Sequence, residues 1–309
     1  MEGATEHKRW PTLLRMGRED VPTALVGQLE KLVEPVWSPD GSVIAAQAAE
    51  TRLLVTANAA IDAVYLAQFP RLSAIVTTGT AYDYVDAVEC RKRGIKICNT
   101  PGYTGASVAE HAMALLLAAC RHVVDYDSEA RSGVSSHEPL GLELEGKTAG
   151  VVGFGDIGTR VGRLAQGFGM SVRFVNRSPK NLPGAKQVDL KTLLAESDVV
   201  FLCVPLTPET HHLIGPAELV LMKSSAYLIN ISSDELIDVT ALAAALSAGR
   251  LAGAGFDVIG SPEPYRNLPR TVLTPTKGWY TAESIHRRAA TWIRTMENVI
   301  AGIDLNRVK

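Results

Sequence analysis

Short apolar runs alternate with amphipathic stretches over most of the 309-residue chain. Strand-like runs occur at TLLRMG, RLLVTA, LSAIVTTG and GIKICNT, with the helical pattern TALVGQLEKLV among them. A second series reads TAGVVGF, SVRFVN, VVFLCV, AYLINI, AGAGFDV and TVLTP, separated by the helical stretches DIGTRVGRLAQGFG, LKTLLAESD and DVTALAAALSAGR. Apolar strands alternating with helices predict parallel sheets covered on both faces. Between the two series, ASVAEHAMALLLAACRHVVDYD is apolar over too broad an arc for a surface helix. It is predicted to lie between layers or at an oligomer interface. The C-terminal stretch TAESIHRRAATWIRTMENVIAGI places Ile285, Ala289, Trp292, Ile293, Met296, Val299 and Ile300 at helical spacing and predicts one helix packed back onto the first layer. The fold class is therefore α/β, with two Rossmann-like, doubly wound parallel-sheet domains. The first is expected over residues 1–103 plus 284–309, and the second, dinucleotide-binding, over 104–283.

Composition narrows the function. An apolar content of 46% with 21% charged residues is that of a soluble globular chain. A net charge of −2 without any Lys/Arg run argues against nucleic acid, because phosphate binding needs a concentrated basic surface. MEGATEHKRW has no hydrophobic signal core, and VAEHAMALLLAAC contains Glu110 and His111 and is too short to span a bilayer. No membrane association and a cytoplasmic location are expected. Cys90, Cys98, Cys120 and Cys203 are widely spaced, so they read as reduced thiols, with Cys203 a packed thiol and not a nucleophile. No cluster at metal-ligand spacing occurs.

The strongest motif is VVGFGDIGTRVG. Gly153, Gly155 and Gly158 form GxGxxG between a predicted strand and a predicted helix, the arrangement that receives a dinucleotide pyrophosphate. Asp156 and Ile157 lie within the motif. The next strand ends in Val175, Asn176, Arg177 and Ser178. Cofactors without a 2′-phosphate are usually held there by Asp or Glu. Here the acid is missing, Arg177 can pair with a phosphate, and Asn176 and Ser178 can hydrogen-bond it. NADP is the expected cofactor.

The stretches GTAYDYVD, NTPGYTGASVAEHAMALLL, VVGFGDIG, DVVFLCVPLTPETHHLIG, LINISSDELID, LAGAGFDV and LTPTKGWYTAES together resemble the D-isomer-specific 2-hydroxyacid dehydrogenase family. The resemblance implies two Rossmann-like domains with a cleft between them, assembled as a homodimer. It implies hydride transfer between a nicotinamide and the C2 of a 2-keto or 2-hydroxy acid. It also places cofactor contacts at Thr104, Val204, Pro205, Thr210, Ile231 and Asp257, and substrate contacts at Asn58, Thr80, Ala81 and Trp279.

The family's chemistry needs an arginine on the substrate carboxylate, a histidine for the proton and a glutamate that orients the histidine. The arginine's position, in LINISSD, is Ser233, and the histidine's, in TPTKGW, is Thr276. Glu263 of GSPEP is the counterpart of the glutamate, in a segment that carries one additional residue. Ser233 brings no charge, Asp234 and Glu235 would repel a carboxylate if they face it, and Thr276 does not titrate in a useful range. The expectation is an NADP-dependent oxidoreductase acting on a different carbonyl, an imine or an activated double bond. Lys277 and Tyr280 are the candidate proton donors, provided burial shifts the lysine into range. The alternative is a silent NADP-binding regulatory protein. His111 is expected to make a structural hydrogen bond.

Overall fold

The computed structural model describes residues 9–57, 59–134, 139–257 and 263–308. The chain divides into two compact units, Met1–Tyr103 with Thr281–Lys309, and Thr104–Tyr280.

Unit 1 holds strands β1 (Trp10–Leu14), β2 (Val33–Trp37), β3 (Leu53–Thr56), β4 (Ala74–Thr77) and β5 (Lys96–Cys98). All pair in parallel in the order β2-β1-β3-β4-β5, a doubly wound arrangement. Successive side chains alternate between faces. Leu14, Val55 and Val76 join one core, while Leu13, Leu54 and Ile75 join the other. The helix Ala282–Ile300 closes the first core with Trp292, Ile293 and Met296, none more than 2% exposed. Burying each contributes roughly 2 kcal/mol, which ties the end of the chain to its first domain. β2 escapes the sequence pattern because Glu34 and Pro35 interrupt it. The proline is tolerated because β2 is an edge strand.

Unit 2 holds β6 (Thr148–Val152), β7 (Ser171–Val175), β8 (Ala185–Gln187), β9 (Val199–Leu202), β10 (Tyr227–Asn230), β11 (Gly253–Asp257) and β12 (Thr271–Thr274). The parallel order is β12-β11-β10-β9-β6-β7-β8. Strand order reverses between β6 and β9, the switch point outside which open α/β sheets bind ligands. β8, a three-residue edge strand with polar exposed positions, was not legible in the sequence.

The expected long apolar helix is two. Gly105–Cys120 buries ten of its sixteen residues in the core of unit 2. His122 then adopts φ +52°, and Val123–Ser132 continues at a 56° bend with no buried residue among those described. A left-handed residue cannot continue the hydrogen-bond ladder of a right-handed helix. No single helix among the described residues is long and apolar enough to cross a membrane.

Candidate functional site

β6 runs into the turn Gly153–Phe154–Gly155 and the helix Asp156–Gly167. Gly153 has φ +91°, and a Cβ there would lie 2.6 Å from Cys203 O. A Cβ on Gly158 would overlap Gly153 O, so the helix can approach the strand only with glycine at this place. Gly155 differs: a Cβ there would meet no atom within 4 Å among the described residues. Gly155 caps the helix, whose first N–H groups and dipole favour an anion. This cradle fits a pyrophosphate. Asp156 is turned toward Gly105, at the start of the helix Gly105–Cys120 that Thr104 caps, and is paired with Arg160 at 2.9 Å. Its charge is thereby offset beside the cradle. Ile157 is half-buried against the core.

The loop after β7 is arranged differently from expectation. Asn176 Oδ1 accepts the Phe154 N–H at 3.1 Å, and its Nδ2 donates to Ser178 O at 2.8 Å and Ser178 Oγ at 3.1 Å. Asn176 therefore braces the glycine turn, and its side chain is committed internally. Arg177 is exposed and free of that brace. Glu209 sits below its ordinary range, chiefly through a Thr207 hydrogen bond and in small part through the Arg177 charge, so the two loops approach. In the second loop, Thr210 Oγ1 donates to Pro205 O at 2.8 Å and accepts the Thr207 N–H at 2.7 Å, fastening the turn that begins at Val204. Burial pushes the Cys203 thiol up to about 12. The residue keeps some surface, but the crowding of its sulfur makes it an inert thiol at neutral pH.

Asp257, 7% exposed at the end of β11, organises the next loop. Its Oδ1 accepts Thr274 Oγ1 and Lys277 N–H, both at 2.7 Å, and its Oδ2 accepts Gly278 N–H at 2.8 Å. His111 Nε2 lies 2.8 Å from Thr274 Oγ1 and 3.7 Å from Asp257 Oδ1. Thr276, at the crest of this loop, has φ +53°, a conformation that costs a β-branched residue about 1 kcal/mol or more. Lys277 is exposed, with its ammonium 4.8 Å from the centroid of the exposed Tyr280 ring. The burial expected to tune Lys277 as a proton donor is absent within unit 2, because the loop turns it outward. Trp279 packs against the core around the helix Gly105–Cys120.

At the end of β10, Ile231 is buried and Ser233 caps the short turn Asp234–Leu236. Asp234 O accepts the Tyr265 hydroxyl at 3.3 Å. Burial, with Asp234 adding to it, pushes that phenol up to about 12. Glu235 is exposed and lies 3.8 Å from His211. Glu263 is exposed and paired with Arg266 at 2.7 Å. The additional residue expected before it falls in 258–262, outside the described residues, as does Asn58.

In unit 1, Thr80 and Ala81 are exposed on the loop after β4. Tyr103 places its hydroxyl 3.8 Å from the position of a Cβ on Gly79 and hydrogen-bonds Arg288.

Residues 113–278 match the profile described as "D-isomer specific 2-hydroxyacid dehydrogenase, NAD binding domain". A glyoxylate reductase of Thermococcus litoralis is 40% identical over 287 residues, which cover 85% of this chain and 86% of that protein. The chain belongs to the D-isomer specific 2-hydroxyacid dehydrogenase family. It is an oxidoreductase with a nicotinamide-cofactor domain. A glycerate dehydrogenase of Methylorubrum extorquens is 32% identical over 90% of this chain and 91% of its own. Among solved structures, an acyclic imino acid reductase (Bsp5) in complex with NADPH and D-Arg superposes with a TM-score of 0.84 at 29% identity, over 96% of this chain and all of that one.

Within this family member, the structure gathers Asp257, Thr274, Thr276 and Lys277 on one loop system and leaves Glu263 and Ser233 on others. His111 makes the structural hydrogen bond expected of it, but VAEH gives no hint that its partner is Thr274. Sequence reasoning missed two groups. Tyr103 and Arg288 are far apart in the chain, and only the return of the last helix brings them together.

Proposed function

We propose that the chain is an NADPH-dependent reductase whose substrate is an imine and not a simple 2-keto acid. The observation that carries this reading is the Asp257 loop, which holds a non-titrating threonine, Thr276, where the resemblance places the family's proton-transferring histidine. Ser233 likewise stands where a cation is expected. A ketone needs a proton as its oxygen becomes an alkoxide. An iminium does not: hydride adds to carbon, the C=N electron pair moves onto nitrogen, and a neutral amine results. When bound, the reduced nicotinamide supplies that hydride.

The remaining steps fall to residues of the chain. The helix start at Gly155 holds the pyrophosphate, and Arg177 pairs with the 2′-phosphate. Asp257 keeps one acceptor position on Oδ2 after binding Gly278 N–H, enough to take an amide N–H from a carboxamide. The substrate in this reading is a small imine formed beforehand in solution. The solved imino acid reductase with NADPH is consistent with this chemistry on this fold.

The test follows NADPH absorbance with glyoxylate alone, glyoxylate with excess methylamine, and Δ1-pyrroline-2-carboxylate. Turnover that depends on the amine or on the preformed imine is expected. Equally fast oxidation with glyoxylate alone overturns the reading.

A further inference from the structure

The last helix carries basic side chains that the chemistry above does not use. Arg287, Thr291 and Arg294 stand at i, i+4 and i+7 on the helix Ala282–Ile300 and so share one face. With His286 they line a groove of about 430 Å³, whose other wall is formed by Pro101–Tyr103 and the tail residues Leu305 and Asn306. All of these residues belong to unit 1. No carboxylate lines the groove among the described residues. Asp304, next to it in the chain, is paired with Lys96 at 2.5 Å and Arg307 at 2.8 Å.

Arg287 Nε donates to Tyr103 O at 3.1 Å, which fixes the side chain and leaves its terminal nitrogens uncommitted among the described residues. Arg294 and His286 are exposed, and their side chains have no hydrogen bond or ion pair among the described residues. Arg287 and Arg294 are two turns apart, roughly 10 Å of helix axis, a span that side chains of this length close with one phosphate between them. Gly102 has φ +76°, and the N–H groups of Gly102 and Tyr103 have no acceptor among the described residues. Successive free amides in such a turn favour an anion.

The rest of the groove fits a carbon body with hydroxyls. Pro101, Ala290 and Leu305 give it apolar wall. Asn306 Nδ2 donates to Thr295 Oγ1 at 2.9 Å, which leaves the amide oxygen as an acceptor. Thr291 Oγ1 donates to Arg287 O at 2.7 Å and can still accept. We propose that this groove binds the phosphate monoester of a small polyol, with the phosphate between Arg287 and Arg294 and hydroxyls on Asn306 and Thr291. A guanidinium pairs bidentately with phosphate. Inorganic phosphate alone fills only the basic part and leaves the apolar wall and the two acceptors unmatched. The site shares no residue with the pyrophosphate cradle at Gly155, which belongs to unit 2.

The experiment is calorimetric titration of the full chain with ribose 5-phosphate, inorganic phosphate and ribose, at about 0.15 M salt so that diffuse charge is screened. Ribose 5-phosphate is expected to bind more tightly than inorganic phosphate, and ribose not at all. Arg294→Ala should weaken the ester about 10-fold or more, the loss of one charge-assisted contact to phosphate. Arg294→Glu should abolish binding, and Arg294→Lys should keep part of it. Arg294 is exposed, so the ligand-free Tm of these variants should match the wild type, which separates lost binding from lost fold. Gly155→Ala, altered in the nucleotide cradle, should bind the ester as the wild type does. No binding to the wild type overturns the proposal, as does equal binding to the wild type and Arg294→Glu. Loss in Gly155→Ala with retention in the Arg294 variants also overturns it, because the phosphate then sits in the nucleotide cradle. Equal affinity for inorganic phosphate and the ester overturns the assignment of a polyol body.

Discussion

His111 Nε2 donates a hydrogen bond to Thr274 Oγ1 at 2.8 Å. Proton counting sets the direction. The Asp257 carboxylate can only accept, so Thr274 gives it the hydroxyl proton at 2.7 Å and must itself accept from the ring. His111 thereby supports the Asp257 loop from the helix Gly105–Cys120. We predict that His111→Leu lowers stability by about 1 kcal/mol and reduces kcat. His111→Gln, which keeps an amide donor, should restore much of both. Melting curves and turnover with Δ1-pyrroline-2-carboxylate check this. Equal losses in both variants would assign the role to ring packing.

The glycines of the turn separate stability from binding. Gly158→Ala pushes a methyl into the Gly153 carbonyl, which is backbone and cannot yield. A loss of about 2 kcal/mol or more is expected, as for overpacking at a tight contact. Gly155→Ala meets no protein atom nearby and keeps an extended backbone at φ −79°. It should fold with an unchanged Tm yet bind NADPH weakly, because its methyl enters the pyrophosphate cradle. Thermal melts with and without cofactor distinguish the two.

Arg177→Ala is expected to weaken NADPH binding by roughly tenfold or more while leaving NADH nearly unaffected, as for loss of a charge-assisted contact to phosphate. Asn176→Ala should weaken both cofactors alike, because Asn176 holds the turn through Phe154 N–H. Fluorescence titrations with the two cofactors provide the measurement. An NADH preference in the wild type would refute the assignment of Arg177.

Ser233→Arg with Thr276→His should introduce reduction of glyoxylate without added amine. The backbone favours the second change, since histidine tolerates φ +53° better than a β-branched threonine. Steady-state assays decide it. A double variant that binds NADPH but reduces no 2-keto acid would show that more of the site differs than these two positions.

Asp198 gives an acid-side prediction. Burial raises its carboxyl, but the Lys223 hydrogen bond at 2.8 Å and the Thr148 N–H at 2.8 Å outweigh this and hold it below its ordinary range. A lowered folded pKa adds stability above the unfolded value, about 3.9, that is lost as pH falls through the folded value. Asp198→Asn should therefore lower the Tm near pH 7, and the gap from wild type should narrow as pH falls below the unfolded value and close below the folded one. A gap independent of pH would contradict the linkage.

The sequence by itself determined the alternation of strands and helices, the GxGxxG turn and the identities of Ser233 and Thr276 within LINISSD and TPTKGW. These depend on short-range periodicity, on glycine's backbone freedom and on residue identity at motif positions. It did not reveal β2 or β8, which are edge strands with polar residues, or the break at His122, where one left-handed residue ends an otherwise uninterrupted apolar pattern. Only the tertiary structure decided which polar groups are committed. Asn176 reads as a phosphate ligand until Phe154 N–H is seen to occupy it. His111 gains its role from β11 and β12, and Tyr103 meets Arg288 because the last helix returns to the first sheet. Each of these partnerships closes a loop of 22 to 185 residues, and such contacts are set by crossover topology and packing, which no local spacing encodes.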